Sequence, residues 1–279
     1  MPRPRPFQQV DVFTDQPFLG NPVAVVLDGA GLDTAEMAAF SSWTNLSEAT
    51  YVGQPTRPEA DYSLRIFSAD HELPFAGHPT LGSCHAWLAA GGQPRADVIV
   101  QECGAGLVRI RREDSILSFA APARRRTGPL DDVDLDLLTR ALGLQPDEVV
   151  AHQWCDNGPP WQALYLRSAD AVLGLRPDAQ LLDGLFVGAV GPQSPGADTD
   201  VEVRAFAPGT VGVFEDPVTG SLNAALAQWL IEAELLPDRY TAAQGTALGR
   251  IGRVHVERLG EDIWIGGRCT TLIEGTATI

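Results

Sequence analysis

The sequence predicts an α+β fold made of two similar halves, and three observations carry that reading. Most of the chain falls into short segments rich in β-branched and aromatic residues, bounded by Gly, Pro, Asp or Asn, the pattern of strands joined by turns. Two segments, "HPTLGSCHAWLAAGG" and "GSLNAALAQWL", are apolar nearly all round at helical spacing, which marks helices buried on every side. Each is opened by a related heptapeptide, "ELPFAGH" from Glu72 and "EDPVTGS" from Glu215, with Glu, Pro and Gly at the same places 143 residues apart.

In chain order, "QQVDVF" and "PVAVVL" read as strands. "LDTAEMAAFSSW" reads as a helix with Asp33 and Thr34 as candidate caps. "EATYVG" and "DYSLRIFS" follow as strands. The first buried helix has Pro79 in its first turn and Gly91-Gly92 past its end, the expected asymmetry. "DVIVQE", "GLVRIRR" and "SILSFA" complete the first half. "APARRRTGPL" is the linker candidate, and "DDVDLDLLTRALG" is an amphipathic helix. The second half then repeats the plan: "VVAHQWC", "WQALYLR", "LFVGAV" and "VEVRAFAP", the second buried helix, and "RVHVER", "DIWIGG" and "TTLIEGTATI".

Two further matches, "RIF" at Arg65 with "RAF" at Arg204 and "VAVV" at Val23 with "QALY" at Gln162, stand 139 residues apart. A period near half of a 279-residue chain implies two similar domains rather than a solenoid. The expected division is residues 1–122 and 130–268, with a last strand, 269–279, packing back on the first domain and a site in the cleft between the two.

Composition narrows the function. Twenty basic against thirty-six acidic residues give a formal charge of −16, so nucleic acid is not an expected partner. The dense basic run, Arg124-Arg125-Arg126, reads as a solvated surface. No apolar stretch approaches the roughly 20 residues of a membrane helix. The start, "MPRPRPFQQV", has no apolar run of a secretory signal, so a cytoplasmic protein is expected. Cys84, Cys103, Cys155 and Cys269 lack C-x-x-C spacing, and His85, His152 and His255 lack metal-ligand spacing. Neither a metal nor another cofactor is expected. "GNPVAV" at Gly20 is no dinucleotide fingerprint. Trp87, Trp154, Trp161, Trp229 and Trp264 read as core, and the segment Gly158 to Trp161, "GPPW", has no readable chemical role.

The repeated turn suggests an anion site. A helix N-terminus presents unpaired N–H groups and the positive end of the dipole, and glycine lets a ligand come close. Gly77 and Gly220 would supply amides, with His78 and Ser221 in the first turns and Asp216 four residues before the second helix. Two such ends suit a small carboxylate. The same residue types also serve as plain caps, which is the competing explanation for Asp216, Thr219 and Ser221. Carbon–hydrogen chemistry beside a carboxylate needs a general base. Glu48, in "NLSEATYVG", is the candidate, on an expected inner strand where a charge is expensive; an edge-strand Glu facing water is the alternative. Its counterpart by the 139-residue offset is Val187, so the base is present in one half only.

The motifs "VDVFTDQPFLGNPVAVV", "LSEATYV", "ELPFAGHPTLGSCHAWL", "GPPWQALYL", "EDPVTGSLNAALAQWL" and "GRIGRVHV" resemble the PhzF-like family of phenazine biosynthesis, from about residue 7 to the end. The resemblance implies a diaminopimelate-epimerase-like fold, two domains each with a mostly antiparallel, barrel-like sheet around a central helix, usually in a homodimer. It implies cofactor-free isomerisation, as of trans-2,3-dihydro-3-hydroxyanthranilate, in which hydrogen moves from C3 to C1. Carried over, Glu48 is the acid/base, His78, Asp216 and Ser221 are further catalytic residues, and Gly77, Gly220 and Ser47 bind substrate. Cousins of this fold that racemise with two thiols carry cysteine before each glycine, where this chain has Ala76 and Thr219. The expected function is a single-carboxylate proton transfer on a small cyclic or amino carboxylate. A two-base racemase or epimerase and a non-enzymatic binding protein are the alternatives.

Overall fold

Strands dominate the computed structural model, which describes residues 2–69, 71–208 and 213–279. The chain divides into two units, Met1–Ala120 with Gly266–Ile279, and Ala121–Ile265. The first holds β1 (Pro4–Val12), β2 (Asn21–Val26), α1 (Thr34–Thr44), β3 (Ala49–Gly53), β4 (Tyr62–Ser68), β5 (His71–Leu73), α2 (Gly77–Ala89), β6 (Val98–Cys103), β7 (Gly106–Glu113) and β8 (Ile116–Ala120). The second holds α3 (Asp132–Leu142), β9 (Val149–Asp156), β10 (Pro160–Leu166), α4 (Ala169–Leu173), β11 (Val187–Pro192), β12 (Val201–Pro208), β13 (Val213–Asp216), α5 (Gly220–Glu232), β14 (Arg239–Gln244) and β15 (Gly252–Leu259). Strand β16 (Asp262–Gly267) crosses the boundary, and β17 (Cys269–Thr278) lies in the first unit, antiparallel to β1 from Pro4↔Thr278 to Val12↔Cys269.

The pairing pattern is written twice. In the first unit β1 and β2 are antiparallel, β2 and β3 parallel, β3 and β4 antiparallel, β4 and β5 a hairpin, β4 and β6 parallel, and β6 and β7 antiparallel. The second unit repeats each step with β9 to β15. The sequence repeat is therefore a repeat of topology.

Each unit wraps its sheet around one helix. Helix α2 packs against β1, β2, β3, β4, β8 and β17. Its close approach needs glycine: a Cβ on Gly82 would lie 2.4 Å from Val23 Cγ1 and 3.0 Å from Val12 Cγ2. On the other face of the sheet α1 covers Ala24, Val26, Ala49, Tyr51 and Phe67. Strands covered on both faces read as continuous apolar runs, which is why "VAVV" lacks alternation. In the second unit α5 takes the inner place, packed against β9 and β15. There the glycine is on the strand: a Cβ on Gly188 would lie 2.5 Å from Leu222 Cδ1.

Pro4 and Pro6 sit inside β1 without breaking a ladder. β2 joins β1 only from Phe7 onward, so these prolines have a neighbour on one side alone, where a missing N–H is tolerated. Four elements carry no readable signal. β5 and β13 are hairpin arms of three and four residues, α4 is a five-residue turn capped by Ser168, and β14, "RYTAAQ", is too rich in alanine and polar groups to alternate. The arginine run also differs from expectation. Arg125 and Arg126 are exposed as expected, Arg126 lying 3.5 Å over Trp154, but the Arg124 side chain is 9% exposed and paired with Glu232. No helix among the described residues is long and apolar enough to cross a membrane.

Candidate active site

In the first unit, the end of α1 delivers the acid. Asp33 and Glu36 form a capping box at the start of α1, and Asn45 closes its end in the left-handed conformation, φ 57°. The chain then turns through Leu46 and half-buried Ser47, and Glu48 stands on the residue before β3, not within an inner strand as expected. Its carbonyl accepts from Ala24 N on β2 at 3.4 Å, which ties the turn to the sheet. The side chain points inward: Oε2 lies 3.2 Å from His78 Nε2, with 15% of the Glu48 side chain and 7% of the His78 side chain exposed. An edge glutamate facing water is thereby ruled out.

His78 is the second residue of α2, whose N-cap, Ala76, offers no side chain to the helix end. Gly77 and His78 are both buried there. The amide nitrogen of Asn21 lies 3.4 Å from His78 Nδ1. Burial pushes His78 down to about 3, against the backbone carbonyl of Pro22, which favours the charged ring. His78 is therefore neutral at pH 7.

That state has a stability signature. Between about 3 and the ordinary value of 6.5 the unfolded chain takes up a proton at this residue that the folded chain refuses. Unfolding then binds protons, so stability rises with pH across that window and is lost on acidification. The expected result is that wild type minus His78→Asn, compared by denaturant unfolding from pH 4 to 8, is flat above about 6.5 and falls below it, by at most about 1.4 kcal/mol per pH unit. A difference that grows on acidification would mean that the Glu48 carboxylate outweighs burial.

In the second unit the equivalent helix end is held differently. Thr219, the N-cap of α5, makes no capping bond. Its hydroxyl donates to Asp216 Oδ2 at 2.7 Å and accepts from Gln244 Nε2 at 2.8 Å. Gln244 Oε1 accepts from Thr219 N at 3.0 Å and Asn223 Nδ2 at 2.9 Å, and its Nε2 also donates to the Asp216 carbonyl at 3.1 Å. Asp216, half-buried at the end of β13, is thus fixed by both its main chain and its carboxylate, and Thr219 makes no side-chain cap bond to α5. Gly220 is buried at the first position of α5, and Ser221 is half-buried beside it, accepting from Trp161 Nε1 at 3.1 Å.

Gln244 is the residue that the sequence reading lacked. The repeat contained the signal: Gln101 lies 143 residues earlier on β6 and donates to Thr80 of α2 at 3.1 Å, as Gln244 bonds Asn223 and Thr219 of α5. The repeated glutamates, in contrast, are structural. Glu72 pairs with Arg65 and Glu215 with Arg204, so Glu recurs with the recurring Arg rather than with a ligand. Cys84 is fully buried in α2 and is packing. Among the described residues no three His, Cys, Asp or Glu side chains gather as a metal site.

Comparisons with known proteins bear on the whole chain. The family described as phenazine biosynthesis-like protein matches residues 10–275. Antisense-enhancing sequence 1 of Schizosaccharomyces pombe is 36% identical, with 98% of each chain covered. Trans-2,3-dihydro-3-hydroxyanthranilate isomerase of Pseudomonas aeruginosa is 32% identical over 96% of this chain and 97% of its own. A PhzF-family crystal structure from Enterococcus faecalis superposes with a TM-score of 0.82 at 22% identity, covering 99% and 100% of the two chains.

Proposed function

The chain belongs to the phenazine biosynthesis-like (PhzF) family and is an isomerase or epimerase, and from that premise we propose a cofactor-free proton transfer on a small cyclic or amino carboxylate, with Glu48 as the single base. The observation that carries the proposal is the desolvated Glu48 carboxylate, 3.2 Å from a histidine that burial keeps neutral. In this reading Glu48 takes a proton from carbon and returns it to another carbon on the same face. Neutral His78, in contact with the carboxylate, keeps it oriented. In the first unit the amide at Gly77, with Ser47, holds polar groups of the substrate, and Gly220, Ser221 and Asp216 form the equivalent ligand-holding set of the second unit. Trans-2,3-dihydro-3-hydroxyanthranilate, the compound in the name of the Pseudomonas aeruginosa relative, is the first substrate to test. A homodimer belongs to the same proposal and is read out by sedimentation velocity.

A two-base racemase is the competing chemistry, and it needs acid and base on opposite faces of the substrate. His78 does not fit the second role, because it touches Glu48 itself. Reaction in D₂O separates the two: deuterium at a new carbon supports the single base, and deuterium at an inverted centre with no migration supports two.

A further inference from the structure

The segment Gly158 to Trp161 ends in a side chain that the proton-transfer reading leaves without a role. Trp161, on β10, is 2% exposed, and its ring meets Phe186 edge-on at 5.3 Å, so the indole has one stable setting. In that setting Nε1–H donates to Ser221 Oγ at 3.1 Å, while Asn157 Nδ2 donates to the Ser221 carbonyl at 2.8 Å. An indole N–H is a donor only, and a hydroxyl has one hydrogen to give. With one acceptor position of Oγ filled by Trp161, the Ser221 hydrogen points away from the indole.

We propose that Trp161 is a positioning residue that fixes Ser221 as a hydrogen-bond donor toward an oxygen of a carboxylate ligand, with Asn157 holding the same helical turn in place. The inference rests on the reading of Ser221 as a substrate-holding group. The other unit makes the same use of the equivalent strand. Asn21, at the entry of β2, faces His78, and Trp161, at the entry of β10, faces Ser221; His78 and Ser221 each follow the first glycine of their helices. The residue beside each helix end is therefore set by the lip of the same strand in both units.

Trp161→Phe keeps an aromatic ring at this buried position and removes the N–H together with the five-membered ring, so the variant is compared at an unchanged unfolding midpoint. Benzoate, a small cyclic carboxylate, binds this variant about tenfold more weakly than wild type in equilibrium dialysis, the loss of one hydrogen bond. Ser221→Ala matches it, and the double variant is no weaker than Ser221→Ala, because the two groups act as one. For any compound that shows Glu48-dependent exchange, KM rises by about the same factor with kcat little changed. The indole ¹H–¹⁵N signal, assigned by its loss in Trp161→Phe, is protected from solvent exchange in wild type and loses protection in Ser221→Ala. Wild-type affinity in Trp161→Phe, losses that multiply in the double variant, or an indole signal indifferent to Ser221→Ala each overturn the inference. Absence of Glu48-dependent exchange with every compound overturns the proton-transfer reading alone, since dialysis and the indole signal still decide the role of Trp161.

Discussion

Glu48→Gln slows deuterium exchange into the substrate by about 10²- to 10⁴-fold, the range for removal of a positioned general base. Glutamine has the shape of glutamate and keeps the contact with His78, but it takes no proton from carbon. The substitution also removes a charge from a site where 15% of the side chain is exposed, so the folded protein is not destabilised by it. Loss of activity with an unchanged unfolding midpoint therefore assigns the effect to chemistry. Glu48→Asp sharpens the test, because it keeps the base and withdraws it by one methylene, away from the 3.2 Å contact with His78. Its exchange falls between wild type and Glu48→Gln, since misplacement by about 1 Å is worth up to about 10²-fold. A Glu48→Gln variant that exchanges as fast as wild type ends the single-base mechanism.

Periodicity and turn chemistry made most of the fold legible, because β-branched segments bounded by Gly, Pro and Asp have few other ways to satisfy their backbones. The two inner helices stood out for a different reason: a helix enclosed by a sheet has no polar face, as Leu81, Gly82, Ser83 and Cys84 in α2 show by being buried in succession. Glu48 was legible as a charge among apolar neighbours, although the residue sits ahead of β3 and not in it. What stayed hidden depends on contacts between distant segments. Gln244 looks like a polar strand end until Thr219 and Asn223 are brought against it. Trp161 is indistinguishable by type from the other buried tryptophans, and only its neighbour Ser221 makes it functional. Arg124 belongs to a basic run in sequence, yet its position beside Glu232 buries most of it.

Arg204→Met destabilises the protein by about 3–5 kcal/mol, whereas Arg65→Met, the same change at the equivalent position of the other unit, costs at most about 1 kcal/mol. Both arginines grip their glutamates in bidentate fashion: Arg204 reaches Glu215 at 2.8 and 2.7 Å, and Arg65 reaches Glu72 at 2.7 and 2.6 Å. Burial separates them. The Arg204 and Glu215 side chains are 6% and 13% exposed, against 36% and 40% for Arg65 and Glu72. Arg204 Nη1 also donates to the carbonyls of Leu175 at 2.9 Å and Val172 at 3.3 Å, which close the end of α4. Its removal leaves a buried carboxylate without its partner and takes a donor from the Leu175 carbonyl, while water replaces Arg65 at little cost. The loss reaches the candidate site, because Glu215 lies opposite Phe206 in the β12–β13 hairpin and Asp216 is the next residue. Denaturant unfolding of the two variants reads the contrast directly. If the uncompensated charge is the cause, adding Glu215→Gln to Arg204→Met recovers part of the loss. Equal losses in the two single variants, or no recovery in the double, would show that burial does not set the strength of this repeated pair.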